Sequence, residues 1–194
     1  MRKKDIKNTE KRENEILKSA TKCFAERGFH QTSMRDIAKE AGLSLGNIYR
    51  YFENKEALIK AFIEIENQET SQAFEQLSHE KNFKKSLKVL AKYIIVELSN
   101  KHELALYLDI FSEALRNKDV MNVIKEEKTE ALFSQALIDA KQKGKIKLTC
   151  SPEATTLAIM ASIENTGLYI AMGTISKRQA LKNINEIIDK FIED

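Results

Sequence analysis

The sequence predicts an all-α fold of about nine helices, short ones first and a longer helical bundle after them. Three observations carry that expectation. The chain of 194 residues holds Gly 6 and Pro 1, seven turn-breaking residues in all, against roughly 12 per cent of an average protein. Sheets need turns at short intervals, and turns draw on Gly, Pro and Asn, so a β-sandwich or barrel is excluded. Hydrophobic residues at 42% beside 31% charged fit a globular chain. Apolar residues also recur with a 3.6-residue period along most of the sequence.

Glycine placement orders the elements. Gly28, Gly42 and Gly46 fall in the first quarter, and the next is Gly144. A first helix is predicted over about 9–27, where Ile16, Ala20, Cys23 and Phe24 share one face and Gly28 supplies a left-handed cap. Ser33 with Asp36 forms a capping box, and Met34, Ile37, Ala38 and Ala41 stripe a helix of two turns that closes at Gly42. Ser44 is an N-cap for a third helix reaching Phe52, with Ile48 and Phe52 inward. Asn54 caps a fourth, whose buried face is marked by Leu58, Phe62 and Ile65.

The bundle follows. Phe83, Leu87, Leu90, Ile94 and Leu98 make one stripe, and Leu104, Leu108, Phe111 and Leu115 the next. A helix over 119–143 ends at Gly144. Ser151-Pro152-Glu153 starts another, with Ser as N-cap and Pro where its missing N–H costs nothing. Ser176 with Gln179 caps the last, striped by Leu181, Ile184, Ile188 and Phe191.

Charge is concentrated at one end. The net charge is +3, yet residues 1–56 hold 13 Lys/Arg against 9 Asp/Glu and the remainder is close to neutral. Arg2, Lys3, Lys4, Lys7, Lys11 and Arg12 form a basic arm, which reads either as a contact for polyanions or as a solvated terminus. Two cysteines and no apolar leader predict a reducing, cytoplasmic compartment.

The chemistry is expected at Gly42-Leu43-Ser44. So short a link between two short helices forces a steep crossing, the helix-turn-helix geometry, and frees the start of the third helix to enter a DNA major groove. Opposite Ile48 and Phe52 lie Gly46 and Arg50, flanked by Asn47 and Tyr49. Gly46 admits close backbone approach, Asn47 has the groups to read a base edge, and Tyr49, Arg50 and Tyr51 to donate to phosphates. The alternative is a helical hairpin whose tyrosines merely pack.

Three segments extend the pattern: Phe24-Ala25-Glu26-Arg27-Gly28-Phe29, then Thr32 to Gly42, then Ile48-Tyr49-Arg50-Tyr51-Phe52 with Asn54-Lys55-Glu56-Ala57-Leu58. Together they closely resemble the DNA-binding domain of the tetracycline-repressor (TetR) family over the first 60 or so residues. The resemblance implies that Ser33 and Lys55 touch phosphates, that Leu45, Gly46 and Asn47 face bases beside the cap Ser44, and that Tyr49 and Tyr51 meet backbone or base edges. Leu45 departs from the lysine or polar residue of many members; an apolar side chain there suits a thymine methyl. The resemblance also implies a DNA-binding domain over 1–56 and an all-helical domain over 57–194 that holds a small molecule and dimerises through its last two helices.

The helix from Pro152 to Gly173 is apolar nearly all round, so it needs partners on several sides. A membrane span is the rival reading, opposed by Glu164 and Asn165 at mid-span. Ala158 and Ala161 would let a second helix come close, and with Leu181, Ile184, Ile188 and Phe191 they are the expected dimer interface. Glu164 and Asn165 either contact a ligand or bridge that interface. Tyr93, Tyr107, Phe111, Met121, Phe133, Met160 and Tyr169 are the other candidate pocket walls, each equally readable as core. No catalytic site, cofactor or metal is expected, since the three histidines are scattered and no phosphate-cradling loop occurs. Cys150 is the more accessible thiol and leaves a redox-sensing, non-DNA alternative open. The expected function is a cytoplasmic, homodimeric repressor that binds palindromic operator half-sites and is released by an unknown effector, with no membrane partner.

Overall fold

The computed structural model describes residues 3–126 and 129–193, with side chains from 8 onward and excluding that of 126. Among these residues the fold is ten helical segments and one two-residue ladder: α1 (Lys3–Arg27), α2 (Met34–Glu40), α3 (Leu45–Tyr49), α4 (Lys55–His79), α5 (Phe83–Leu98), α6 (Lys101–Ala114), α7 (Lys118–Glu126), α8 (Thr129–Gln142), β1 (Lys147–Leu148), α9 (Pro152–Ala171), α10 (Lys177–Phe191) and β2 (Ile192–Glu193). The all-helical prediction holds. Residues 127–128, inside the single helix predicted over 119–143, lie outside the described residues, as do Met1 and Arg2 of the basic arm.

Two compact units divide the chain. The first comprises residues 1–66 with 105–126, and the second 67–104 with 127–194. The boundary predicted at 56/57 marks the start of α4 rather than the edge of a unit: Leu58, Ile59 and Ile63 are buried with Ile16, Phe24, Ile37 and Ile48, and the same core takes Leu106, Ile110 and Val120 from α6 and α7.

Several helices depart from their predicted limits for physical reasons. Helix α1 begins at Lys3 rather than near Thr9, because the basic arm has no Gly or Pro to break a helix. For the same reason α4 runs on through residue 66 to His79. Helix α3 stops at Tyr49, although Phe52 still donates its N–H to the Ile48 carbonyl at 3.0 Å, so the coil continues as a turn. On α6 the buried face is Leu104, Leu106, Ile110 and Ala114, while Leu108, Phe111 and Leu115 of the predicted stripe are exposed. That helix is apolar on two sides, and periodicity alone does not choose between them.

In the second unit, Phe83, Leu87, Ala91 and Ile95 of α5 pack with Phe133 and Leu137 of α8, Ile159 and Ile163 of α9, and Ala180, Ile184 and Ile188 of α10. Strand β1 pairs antiparallel with β2, Leu148 opposite Ile192, a ladder too short to leave a period-two pattern. The expected interface residues Ile184 and Ile188 are therefore core residues of the chain itself; Ala158, Ala161, Leu181 and Phe191 are half-buried. Among the described residues no helix is long and apolar enough to cross a membrane.

Candidate nucleic-acid interface

The site is built by short-range signals. Gly28 ends α1 at φ +84°, and the buried Thr32 hydroxyl donates to the carbonyls of Gly28 (2.9 Å) and Cys23 (3.1 Å), pinning the turn against α1. Ser33 then caps α2. Its amide and hydroxyl donate to Asp36 Oδ2 at 2.9 and 2.5 Å, and its Oγ accepts from the Asp36 amide at 3.2 Å. Those donors, with Arg27 at 3.2 Å, hold the Asp36 carboxyl below the usual aspartate range. Lys22 bridges to Glu40 at 2.5 Å, raising the lysine and lowering the glutamate. Both ends of α2 are thus tied to α1.

Gly42, at φ +64°, makes the turn. Its amide donates to Lys39 O (3.2 Å) and that of Leu43 to Ala38 O (2.9 Å), the paired pattern of a Schellman cap, which favours a residue without Cβ at the left-handed position. Ser44 then caps α3 by accepting from the Asn47 amide at 3.3 Å. The inward residues are Ile48 and Phe52, both buried. Outward lie Ser44, Gly46, Asn47, Tyr49 and Arg50, all exposed; Leu45 and Tyr51 are half-buried against the core.

Gly46 has no structural reason to be glycine. Its φ is not positive, and an added Cβ would meet nothing within 4 Å. Glycine inside a helix costs about 1 kcal/mol relative to alanine, and no packing gain within the chain offsets that.

Beside the helix lies a cleft of about 490 Å³ lined by Ser33, Met34, Arg35, Leu45, Tyr49 and residues 53–56. Four residues expected at DNA, Ser33, Leu45, Tyr49 and Lys55, converge on it. Lys55 is also held from within: its ammonium donates to the Phe29 carbonyl at 2.6 Å and sits 4.4 Å from the centroid of the Phe29 ring. Arg35 and Asn54 line the same cleft without having been expected at DNA; Asn54 is the predicted cap of α4, accepting from the Ala57 amide at 2.8 Å. Arg35 had a signal, a cation on the exposed face of α2 one residue before the capping acid.

The candidate effector residues do not fall in one place. Tyr107, Phe111 and Met121 belong to the first unit, where the Tyr107 and Phe111 rings lie 4.7 Å apart. The other six belong to the second. There Phe133 is buried and stacks on Phe74 at 5.1 Å, Met160 is half-buried, and Tyr93 and Tyr169 are 65% and 50% exposed. Glu164 and Asn165 were expected to be buried; both are exposed in the single chain, because α9 turns Thr155, Ile159, Ile163 and Thr166 to the core instead. Enough protein surrounds the Glu164 carboxyl to push its pKa up, with repulsion from Glu130 adding to the rise. Cys23 is buried, which raises its thiol, and Cys150 is exposed.

Comparison with known proteins places this geometry. A profile of the family described as bacterial regulatory proteins, tetR family, matches residues 16–62, from α1 into α4. The HTH-type transcriptional regulator UidR of Escherichia coli K12 is 34% identical over 151 residues, covering 73% of this chain and 70% of UidR. Among solved structures, the fatty acid degradation regulator FadR of Bacillus halodurans aligns with a TM-score of 0.75 at 21% identity, covering 91% of this chain and 94% of that one. SmeT, the repressor of the Stenotrophomonas maltophilia multidrug efflux pump SmeDEF, aligns at 0.72 and 19%, covering 94% and 91%. A SmeT complex with triclosan aligns at 0.77 and 19%, covering 94% and 92%. With α2 and α3 joined by the Gly42 turn and the outward face of α3 exposed, this chain belongs to the TetR family and is a DNA-binding transcriptional regulator.

Proposed function

We propose that the exposed face of α3 reads operator DNA in a homodimeric repressor whose grip a small molecule loosens. The observation that carries the reading is Gly46, a helical glycine that the fold does not need, set between Ser44, Asn47, Tyr49 and Arg50. Asn47 reads a base edge, Leu45 meets a thymine methyl, and Tyr49, Tyr51 and Arg50 hold the backbone with Ser33 and Lys55. Both the amide and the hydroxyl of Ser33 donate to Asp36, so a phosphate would meet Ser33 only in competition with that carboxylate. The DNA-binding role lies in residues 1–56 and the effector and dimer roles in 57–194.

The dimer is supported by α9. Leu157, Ala161, Glu164, Leu168 and Met172 recur on one helical face, and Leu157 and Met172 are 68% and 67% exposed in the single chain. Such a stripe is apolar enough to need cover. Two copies of α3 in a dimer would have to match half-sites about one DNA turn, roughly 34 Å, apart. An effector that binds one dimer geometry better than the other shifts the population by that difference in affinity. Release of a repressor by such a compound is supported by the shared fold of SmeT, a repressor with a small-molecule complex. The effector walls are drawn from Tyr93, Phe133, Met160, Glu164, Asn165 and Tyr169 of the second unit, with Tyr107, Phe111 and Met121 of the first. The reading includes no catalysis and places the protein in the cytoplasm.

The test uses a duplex that the full chain selects from a random-sequence pool. Asn47→Ala is expected to relax preference at one base position by about 1–3 kcal/mol, while Tyr49→Phe weakens all sequences alike. Parental affinity and preference in both variants would remove α3 from the interface.

A further inference from the structure

Phe29 is gripped from two distant parts of the first unit. Its amide, just past the end of α1, donates to Asp109 Oδ2 of α6 at 2.8 Å, across 80 residues of sequence. Its carbonyl accepts from the Lys55 ammonium of α4 at 2.6 Å. The ring is buried, packed against Phe24 with 5.2 Å between centroids. Gly28 makes the turn into this junction at φ +84°, where a side chain would be strained. One turn further along α6, the buried carboxylate of Glu113 lies 3.6 Å from His30 Nε2. A single residue, Phe29, therefore joins an acid that lines no part of the cleft to a cation that does.

We propose that Asp109 is a positioning residue for DNA binding, fixing the Phe29 turn so that Lys55 is held at the cleft edge before DNA arrives. The proposal rests on the reading of Lys55 as a phosphate contact given above. A carboxylate accepting from an amide makes a charge-assisted bond, and without it the half-buried Phe29 amide loses its partner and the turn its anchor. Lys55 would then search many rotamers, and the ordering cost falls on the binding step.

The sign of the effect separates positioning from simple charge. Removing an acid from a protein that binds a polyanion strengthens attraction at long range; loss of positioning weakens binding. Asp109→Asn keeps an acceptor oxygen without the charge and is expected to bind the selected duplex as tightly as the parent or more so. Asp109→Ala, with no acceptor, is expected to bind about tenfold more weakly, the scale of one unmade hydrogen bond. Lys55→Met should weaken binding and lower the slope of log affinity against log salt by about 0.9, one phosphate contact. Asp109→Ala with Lys55→Met should bind no more weakly than Lys55→Met alone, as coupled sites do.

Circular dichroism melts accompany each variant, and Asp109→Ser, whose hydroxyl is too short to reach the amide, replaces the alanine if that chain does not fold. Parental or tighter binding by the variant without an acceptor overturns the proposal, as does a double variant weakened by the product of the single effects. Lys55→Met with parental affinity and slope overturns it too, while leaving α3 as the reader. A parent that selects no duplex fails the DNA-binding reading itself, a separate outcome.

Discussion

Ile188→Asp is expected to unfold the second compact unit, not merely to separate the subunits of a dimer. Ile188 has none of its surface exposed and sits within the core formed by α5, α8, α9 and α10. Removing a buried isoleucine side chain costs about 2–5 kcal/mol in packing and transfer. An unpaired carboxylate in the same place adds several more unless it protonates, and even the neutral acid lacks a partner. The sum rivals the roughly 5–15 kcal/mol that holds a domain together. A urea titration followed by circular dichroism should show an early loss of helix. A variant with parental unfolding that sediments as a monomer would instead put Ile188 back at a subunit interface, where its place in an amphipathic stripe had suggested it.

Gly167→Ala should destabilise the same unit through backbone contact. A Cβ on Gly167 of α9 would stand 2.7 Å from Leu98 Cβ and 2.8 Å from the Leu98 carbonyl oxygen. Neither is the far end of a flexible side chain, so the helices must separate. Overpacking of this kind costs about 1–3 kcal/mol, more than the roughly 1 kcal/mol that alanine gains over glycine in a helix. Gly46→Ala is the matched contrast. Nothing lies within 4 Å of its added methyl, so stability should rise by up to about 1 kcal/mol while affinity for the selected duplex falls. Thermal melts of the two variants should move in opposite directions. A rise for Gly167→Ala would mean that α9 and α5 are not in close approach there.

What the sequence made legible was local. The Ser33–Asp36 box, the Gly42 turn and the Ser44 cap are signals within a few residues of the bonds they form, and they place α2 and α3 correctly. Faces were harder where a helix is apolar on two sides. On α6 the period picks out Leu104, Leu108, Phe111 and Leu115; the chain buries Leu104 but turns Leu106 and Ile110 inward in place of the other three. On α10 the stripe of Ile184 and Ile188 was right as a stripe, but nothing in its period says whether core or partner covers it. The contact of Asp109 with Phe29 spans 80 residues, and no local pattern announces it. Gly46 was legible as an oddity in a helix; only the open space around it shows that the fold is not the reason.

The chain is expected to grip duplex DNA through α3 and the cations around it. The most direct test of that grip is the affinity of the full chain for its selected duplex across a salt series, read by fluorescence anisotropy. Each phosphate neutralised should steepen the fall of log affinity with log salt by about 0.9, so a slope of several units is predicted, shallower by about one in Lys55→Met. Binding that ignores salt, or no binding to any duplex, would show that α3 and its surrounding cations do not grip DNA.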